Sequence, residues 1–183
     1  MAAAVTRLDY YNGASPTFTG GSYAGVTAEG GIKFNLDDTL TGTTPIPIPT
    51  ATGTNFSWIK NLALDVTTAG TTSISNRRIY LGSSPSTGLN VFYKSVVTGS
   101  YAQAASGNRP TASGSNGATP AGYTVMATSL GGSTAYDASS VSSATQGVNG
   151  SLAVCVVGVD FTFAGGPGNA TALPSISLSY DEA

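Results

Sequence analysis

The residues of this chain that could do chemistry are few, and the missing ones decide more than those present. There is no histidine, which removes Ser-His-Asp and Cys-His nucleophilic catalysis, His-ligated zinc and the usual neutral-pH proton shuttle. Ser57-Trp58-Ile59-Lys60 has the S-x-x-K spacing of Ser-Lys acylases, in which the lysine one helical turn on reaches the serine hydroxyl. The surrounding residues read as a strand, where positions three apart point to opposite faces, and neither S-D-N nor K-T-G accompanies the motif. Asp37-Asp38 is the one acidic pair inside the chain and Asp181-Glu182 the one at its end. Calcium needs six or more oxygen ligands, so Asp37-Asp38 reads as a solvated turn. The nine acids are scattered and place no pair for glycoside hydrolysis.

Gly82-Ser83-Ser84-Pro85-Ser86-Thr87-Gly88 lacks the G-K-[ST] ending of a phosphate loop, and no helix pattern follows Gly20-Gly21 or Gly165-Gly166, so these read as turns. The single Cys155 lies in the apolar run Leu152–Phe161 and reads as a small buried hydrophobe. The sequons at Asn55, Asn149 and Asn169 would matter only on a eukaryotic secretory route. No catalytic residue, cofactor-binding residue or metal ligand is therefore assigned. The expectation is a chain that is not an enzyme and carries no cofactor.

Charge points the same way. Asp, Glu, Lys and Arg make up 9% of the 183 residues, against roughly 25% in an ordinary soluble domain. Weak surface charge protects a monomer poorly against self-association and suits a protein that ends in an assembly. The seven cations are Arg7, Lys33, Lys60, Arg77, Arg78, Lys94 and Arg109, with a net charge of -2. They form no basic stripe for a phosphate backbone, so no nucleic-acid partner is expected. No run approaches the ~20 apolar residues of a membrane span. The start, Met1–Asp9, lacks a basic leader and an apolar stretch, so synthesis in the cytoplasm is expected.

The elements that would hold such residues are strands. Windows rich in β-branched and aromatic residues, bounded by Gly, Pro, Asn or Ser, fall at Val5–Tyr11, Gly31–Leu36, Asn55–Val66, Arg77–Leu81, Leu89–Val97, Tyr123–Leu130, Ser151–Phe163 and Ser175–Tyr180, and none has a sustained helical period. The fold class expected is all-β: an antiparallel β-sandwich or jelly roll of about eight strands with long Gly/Ser/Ala-rich loops. Ile176, Leu178 and Tyr180 alternate with serines, giving one dry face and one wet face. Leu152–Val159 is apolar at both parities, the mark of a central strand covered on both sides, either within the fold or, as the preferred reading, by a neighbouring subunit. In Asn55–Val66 one parity collects Phe56, Trp58, Leu62, Leu64 and Val66, with Trp58 the expected core anchor. The same parity places Lys60 on the apolar side, which calls for a bulge, a snorkelling stem or a strand end there.

The domain expected is a single one over residues 1–183, with residues 1–12 able to serve as an exchanged arm and 102–121 a long loop of small residues. Pro45-Ile46-Pro47-Ile48-Pro49 should run extended, and Gly131–Gly150 holds only Tyr136, Val141 and Val148 as sizeable apolar groups.

The opening Ala4–Gly13, the middle Asn55–Leu62, the turn Pro120-Ala121-Gly122-Tyr123 and the ending Ser175–Glu182 resemble small virion structural proteins of tailed bacteriophages, of the capsid cement or decoration type. The resemblance implies a virion location and binding to the outer surface of the major capsid protein lattice beside other copies of the chain, as a homo-oligomer with no membrane partner. It carries no specific binding residue with it. A phage tail, neck or fibre component is the first alternative. A carbohydrate-binding adhesive β-sandwich, suggested by nine Tyr and by Trp58, is the second.

Overall fold

In the computed structural model, the residues described are 3–11, 26–27, 36, 55–85, 89–97, 110, 119–142, 146–148, 152–160 and 175–183. They are almost wholly extended, and the one helical turn among them is a 3-10 turn at Leu130–Gly132. The strands are β1 Val5–Tyr11, β2 Val26–Thr27, β3 Asn55–Phe56, β4 Lys60–Thr68, β5 Ser73–Leu81, β6 Leu89–Val97, β7 Thr124–Val125, β8 Ala135–Asp137, β9 Val141–Ser142, β10 Gly147–Val148, β11 Leu152–Asp160 and β12 Ile176–Glu182. All their pairings are antiparallel. They build two sheets. The larger has the order β2-β1-β4-β11-β6-β7, with β10 also beside β4 and β3 beside β11; the smaller has the order β12-β5-β8, with β9 also beside β5.

Residues from the facing sides of both sheets share one core. Leu62, Val91 and Tyr93 of the larger sheet pack with Ile79, Leu81 and Tyr136 of the smaller, and Leu8, Ile176 and Leu178 close the cluster. A continuation joins Ala4, Leu64 and Val66 to Ile74, with Leu178 and Tyr180 beside them. Ile176, Leu178 and Tyr180 of the last strand pack on the core as expected, but the serine side is not the wet face expected: Ser177 and Ser179 are half-buried and the Ser179 hydroxyl is buried.

The reverse face of the larger sheet is covered as well. Phe56, Ile59 and Phe92 form a second buried cluster, with Trp58, Val96 and Tyr123 packed against it. Strand β4 is buried at seven successive positions, Lys60 to Val66, so both of its faces are dry. Strand β11, expected to be central, pairs with β4 on one side and β6 on the other.

The window Asn55–Val66 is not one uninterrupted strand. Phe56 pairs with Val159 and Lys60 with Val156, so three residues on one side span the place of two on the other. One extra residue reverses side-chain parity, as a bulge does. Phe56 consequently lies on the reverse face with Phe92, while Leu62 and Leu64 face the core. Trp58, in the irregular stretch, is only half-buried; the interior anchors are Phe92 and Leu62. Lys60 begins β4 and is fully buried.

A second irregularity shapes the smaller sheet. Ser75 pairs with Asp181 and Arg78 with Ser179, so Asn76 and Arg77 together oppose Tyr180. Asn76 takes the left-handed conformation at φ 48°, which asparagine accepts more readily than other non-glycine residues. Its side-chain amide donates to Asp181 Oδ2 at 2.7 Å. The bulge returns Arg77, Ile79 and Leu81 to the core side and leaves Arg78 outside.

Of the other expected features, Pro120–Tyr123 forms a turn in which the Tyr123 N–H donates to the Pro120 carbonyl at 3.0 Å. Gly122 there has φ 79°, the third position of a type II turn. The window Gly31–Leu36 except Leu36, the segment Pro45–Pro49, the pair Asp37-Asp38, most of 102–121 and residues 161–163 lie outside the described residues. Strand β1 pairs with β4 of its own chain over residues 5–11. Its start is tied to the end of the chain: the Ala4 N–H donates to Glu182 Oε1 at 3.0 Å, and the Tyr180 hydroxyl donates to the Ala4 carbonyl at 3.1 Å.

Candidate functional site

Of the residues singled out for chemistry, the structure describes Ser57, Lys60, Cys155, Asn55, Asp181 and Glu182. The Ser57 hydroxyl is buried and donates to the Trp58 carbonyl at 2.8 Å, and Ser57 and Lys60 flank an irregular connection rather than sharing a helix turn. Cys155 sits at a position of β11 paired to Lys94 and Asn61. Asn55 begins β3, while Asn149 and Asn169 lie outside the described residues. No metal-ligand cluster occurs among the described residues, and no helix among them is long and apolar enough to cross a membrane. No described aromatic side chain is fully exposed: Trp58, Tyr80, Tyr123 and Tyr180 are half-buried, and Phe56, Phe92, Tyr93 and Tyr136 are buried.

What the structure does assemble is a buried polar cluster. Arg77, fully buried in β5, places Nη2 at 2.7 Å from Asp137 Oδ2 of β8. The same nitrogen donates to the Ser139 carbonyl at 3.1 Å and to its hydroxyl at 2.9 Å. Asp137 Oδ1 accepts the Ser139 N–H at 2.9 Å and the Ser139 hydroxyl at 2.6 Å. Arg77 Nε and Nη1 and the neighbouring Tyr136 hydroxyl are buried without a hydrogen-bond partner. The cluster pins β8, and the turn after it, to the centre of the smaller sheet. The sequence carries one faint signal of it: Asp137 is the lone charged residue in Gly131–Gly150. Its partner lies sixty residues away in sequence, and only the sheet register brings them together.

Burial pushes the Asp137 carboxyl up, but the hydrogen bonds from Ser139 and Arg77, with the guanidinium charge, outweigh it and hold the carboxyl below its usual range. Asp181, exposed, is also held low, by Asn76 and Arg78. Burial raises the Tyr136 hydroxyl well above its ordinary value; Arg77 opposes that and Asp137 adds to it. The signs set a stability window. Carboxylates held low stabilise the fold above the ordinary carboxylate range of about 4, and that contribution is lost as pH falls through it. A phenol held high stabilises below its ordinary value of about 10 and loses that contribution as pH rises beyond it. Thermal melts should therefore show a plateau between these limits. An acid limb undiminished in Asp137→Asn relative to the plateau of that variant would show that Asp137 is not its main source.

The remaining charges are likewise turned onto one another. Arg7 Nη2 is 3.0 Å from Asp65 Oδ2, a cross-strand pair with a buried carboxylate. Arg78 Nη1 is 3.1 Å from Asp181 Oδ1, and Lys94 Nζ stands 5.0 Å from the Tyr123 ring centroid. Among the described side chains the only exposed charged residues are Asp181 and Glu182, and both are bonded to their own chain. Many exposed positions instead hold small hydroxyl residues or glycine, such as Ser83, Ser84, Thr124, Thr128, Ser129, Gly131, Thr134 and Ser140, and Val5, Val97, Val125 and Leu130 are exposed beside them.

Strand β12 is an edge. It pairs with β5 on one side, and among the described residues no strand pairs with the other. The Ser175 carbonyl accepts the Gly82 N–H at 2.8 Å, and Ala183 exchanges two bonds with Ser73 at 2.9 and 3.0 Å. Odd-numbered residues thus bond inward, and the N–H and C=O groups of Ile176, Leu178 and Tyr180 point along the open edge.

No family model, no curated protein and no solved structure matches this chain.

Proposed function

We propose that this chain is a bacteriophage virion structural protein: a single β-sandwich domain over residues 1–183 that binds the outer surface of the major capsid protein lattice as a cement or decoration protein. The observation that carries the reading is the treatment of charge. A chain with only 9% charged residues engages its described charges internally and exposes hydroxyls and glycines. A free monomer gains little solubility from such a surface, whereas a subunit laid on a regular lattice desolvates hydroxyls at less cost than charges where the lattice supplies their hydrogen bonds. The resemblance of Ala4–Gly13, Asn55–Leu62 and Ser175–Glu182 to phage virion proteins supplies the setting.

The mechanism is mechanical. Strand pairing and apolar burial across subunit boundaries tie neighbouring shell proteins together against internal pressure. No catalytic residue, cofactor, nucleic acid or membrane takes part. Reconstruction of the source particle tests it directly: density for this chain on the capsid exterior in hundreds of copies is expected. A few copies on the tail would replace this reading with that of a tail component, and absence from the particle would end both.

A further inference from the structure

We infer that the open edge of β12 is a self-pairing surface, on which two copies of this chain join antiparallel about a two-fold axis through Leu178 and fuse their smaller sheets into one.

Edge strands present a row of unpaired backbone groups, and proteins that stay monomeric blunt them with lysine, proline, a bulge or charge. Strand β12 uses none of these where it matters. Residues 175–180 read Ser-Ile-Ser-Leu-Ser-Tyr, with no charge and no proline. The extra residue of the bulge sits on β5, in the Asn76-Arg77 pair, so β12 runs on without a kink of its own. The two acids that could guard the edge are drawn back into their own chain. Asp181 is held by Asn76 and Arg78, and Glu182 by the Ala4 N–H and the Thr72 hydroxyl.

The edge is also self-complementary, which selects a second copy as occupant over an unrelated strand. A two-fold axis through Leu178 sets Leu178 opposite Leu178 of the partner subunit and Ile176 opposite Tyr180 of the partner subunit. These are the residues whose backbone groups point outward, so they form the hydrogen-bonded pairs of the new ladder. Their side chains line the core face, so the two cores would become continuous at the joint. Ser177 then meets Ser179 of the partner subunit on the opposite face of the joint. The acidic ends stand at opposite extremes of the joint, and no like charges face each other. No other two-fold register pairs all three apolar residues with one another. The contact is isologous, so it closes at two copies and leaves the rest of the surface for a lattice.

The inference deepens the assembly reading by naming one contact, and its test is separable from that of the virion location. The wild-type chain should sediment at twice its 18.2 kDa mass as concentration rises. Ser177 and Ser179 of opposing copies form a non-hydrogen-bonded pair, with Cα atoms about 4.5 Å apart, within the range a disulfide spans. Oxidising a mixture of Ser177→Cys and Ser179→Cys chains should therefore give a 177–179 disulfide, identified by peptide mapping, that neither variant forms alone. A wild-type chain monomeric at all concentrations overturns the inference. So does coupling of either variant with itself as readily as in the mixture. Either result leaves the location of the chain in the particle to be decided by reconstruction.

Discussion

Arg77→Met should cost about 3–5 kcal/mol of folding stability at neutral pH, because it strands the Asp137 carboxylate inside the protein without its cation. Arg77 and Asp137 are 0% and 3% exposed at their side chains, so water cannot take over the lost interaction. The hydrogen bonds from Ser139 remain to Asp137, which sets the cost below that of an isolated buried charge. Two further outcomes separate this account from simple loss of packing. The double variant Arg77→Met/Asp137→Leu should recover to wild-type stability or exceed it, since it also removes the desolvation cost of Arg77 Nε and Nη1, which make no hydrogen bond. In Arg77→Met alone, the guanidinium no longer opposes the effect of burial on Asp137, so the carboxyl takes up its proton at a higher pH than in wild type and the deficit against wild type should shrink as pH falls from about 7 to about 4. Denaturant midpoints of the four chains of this cycle, at pH 7 and pH 4, measure both. A double variant as unstable as the single one would mean that Arg77 acts through its aliphatic stem.

The cluster also marks where the sequence stops being legible. Strands β1 and β6 fall where β-branched and aromatic residues cluster, Val5–Tyr11 and Leu89–Val97, because a long strand carries enough periodic residues to declare itself. The dry face of β12 was readable for the same reason. Strands β8, β9 and β10 were not, since two or three residues carry no period. Yet they sit at Tyr136, Val141 and Val148, the only sizeable apolar groups in Gly131–Gly150. The Arg77–Asp137 pair depends on register between distant strands, and a low charge content says nothing about which charges will meet. The bulge before Lys60 was signalled by a lysine in an apolar parity, but its consequence for Phe56 follows only from the pairing with β11.

That consequence bears on function, because it decides how many faces of the larger sheet are finished within one chain. A doubly apolar central strand can be read as waiting for a neighbouring subunit or as already covered. Among the described residues, Phe56, Trp58, Ile59 and Tyr123 lie over the reverse face at Phe92 and Val96. The assembly contact is therefore better sought at a sheet edge with which no described strand pairs than on that face.

Phe92→Ala should cost about 3–5 kcal/mol, the loss expected for a core aromatic that leaves a cavity. Phe92 is 0% exposed although it stands on the side of the larger sheet away from the smaller one. Its ring centroid is 6.4 Å from that of Phe56 with the planes tilted by 58°, a geometry that adds about 0.5–1.5 kcal/mol beyond area burial. Trp58→Ala, at a half-buried ring in the same cluster, should cost less despite the larger side chain, reversing the order that residue size alone would give. Unfolding midpoints of the isolated chain decide it. If Phe92→Ala melts near wild type in isolation but fails to assemble, the reverse face is open in the free chain and is itself the surface that a partner covers. If it loses stability before any partner is added, that face is part of the protein's own interior and the free edge of β12 becomes the stronger place to look for contact.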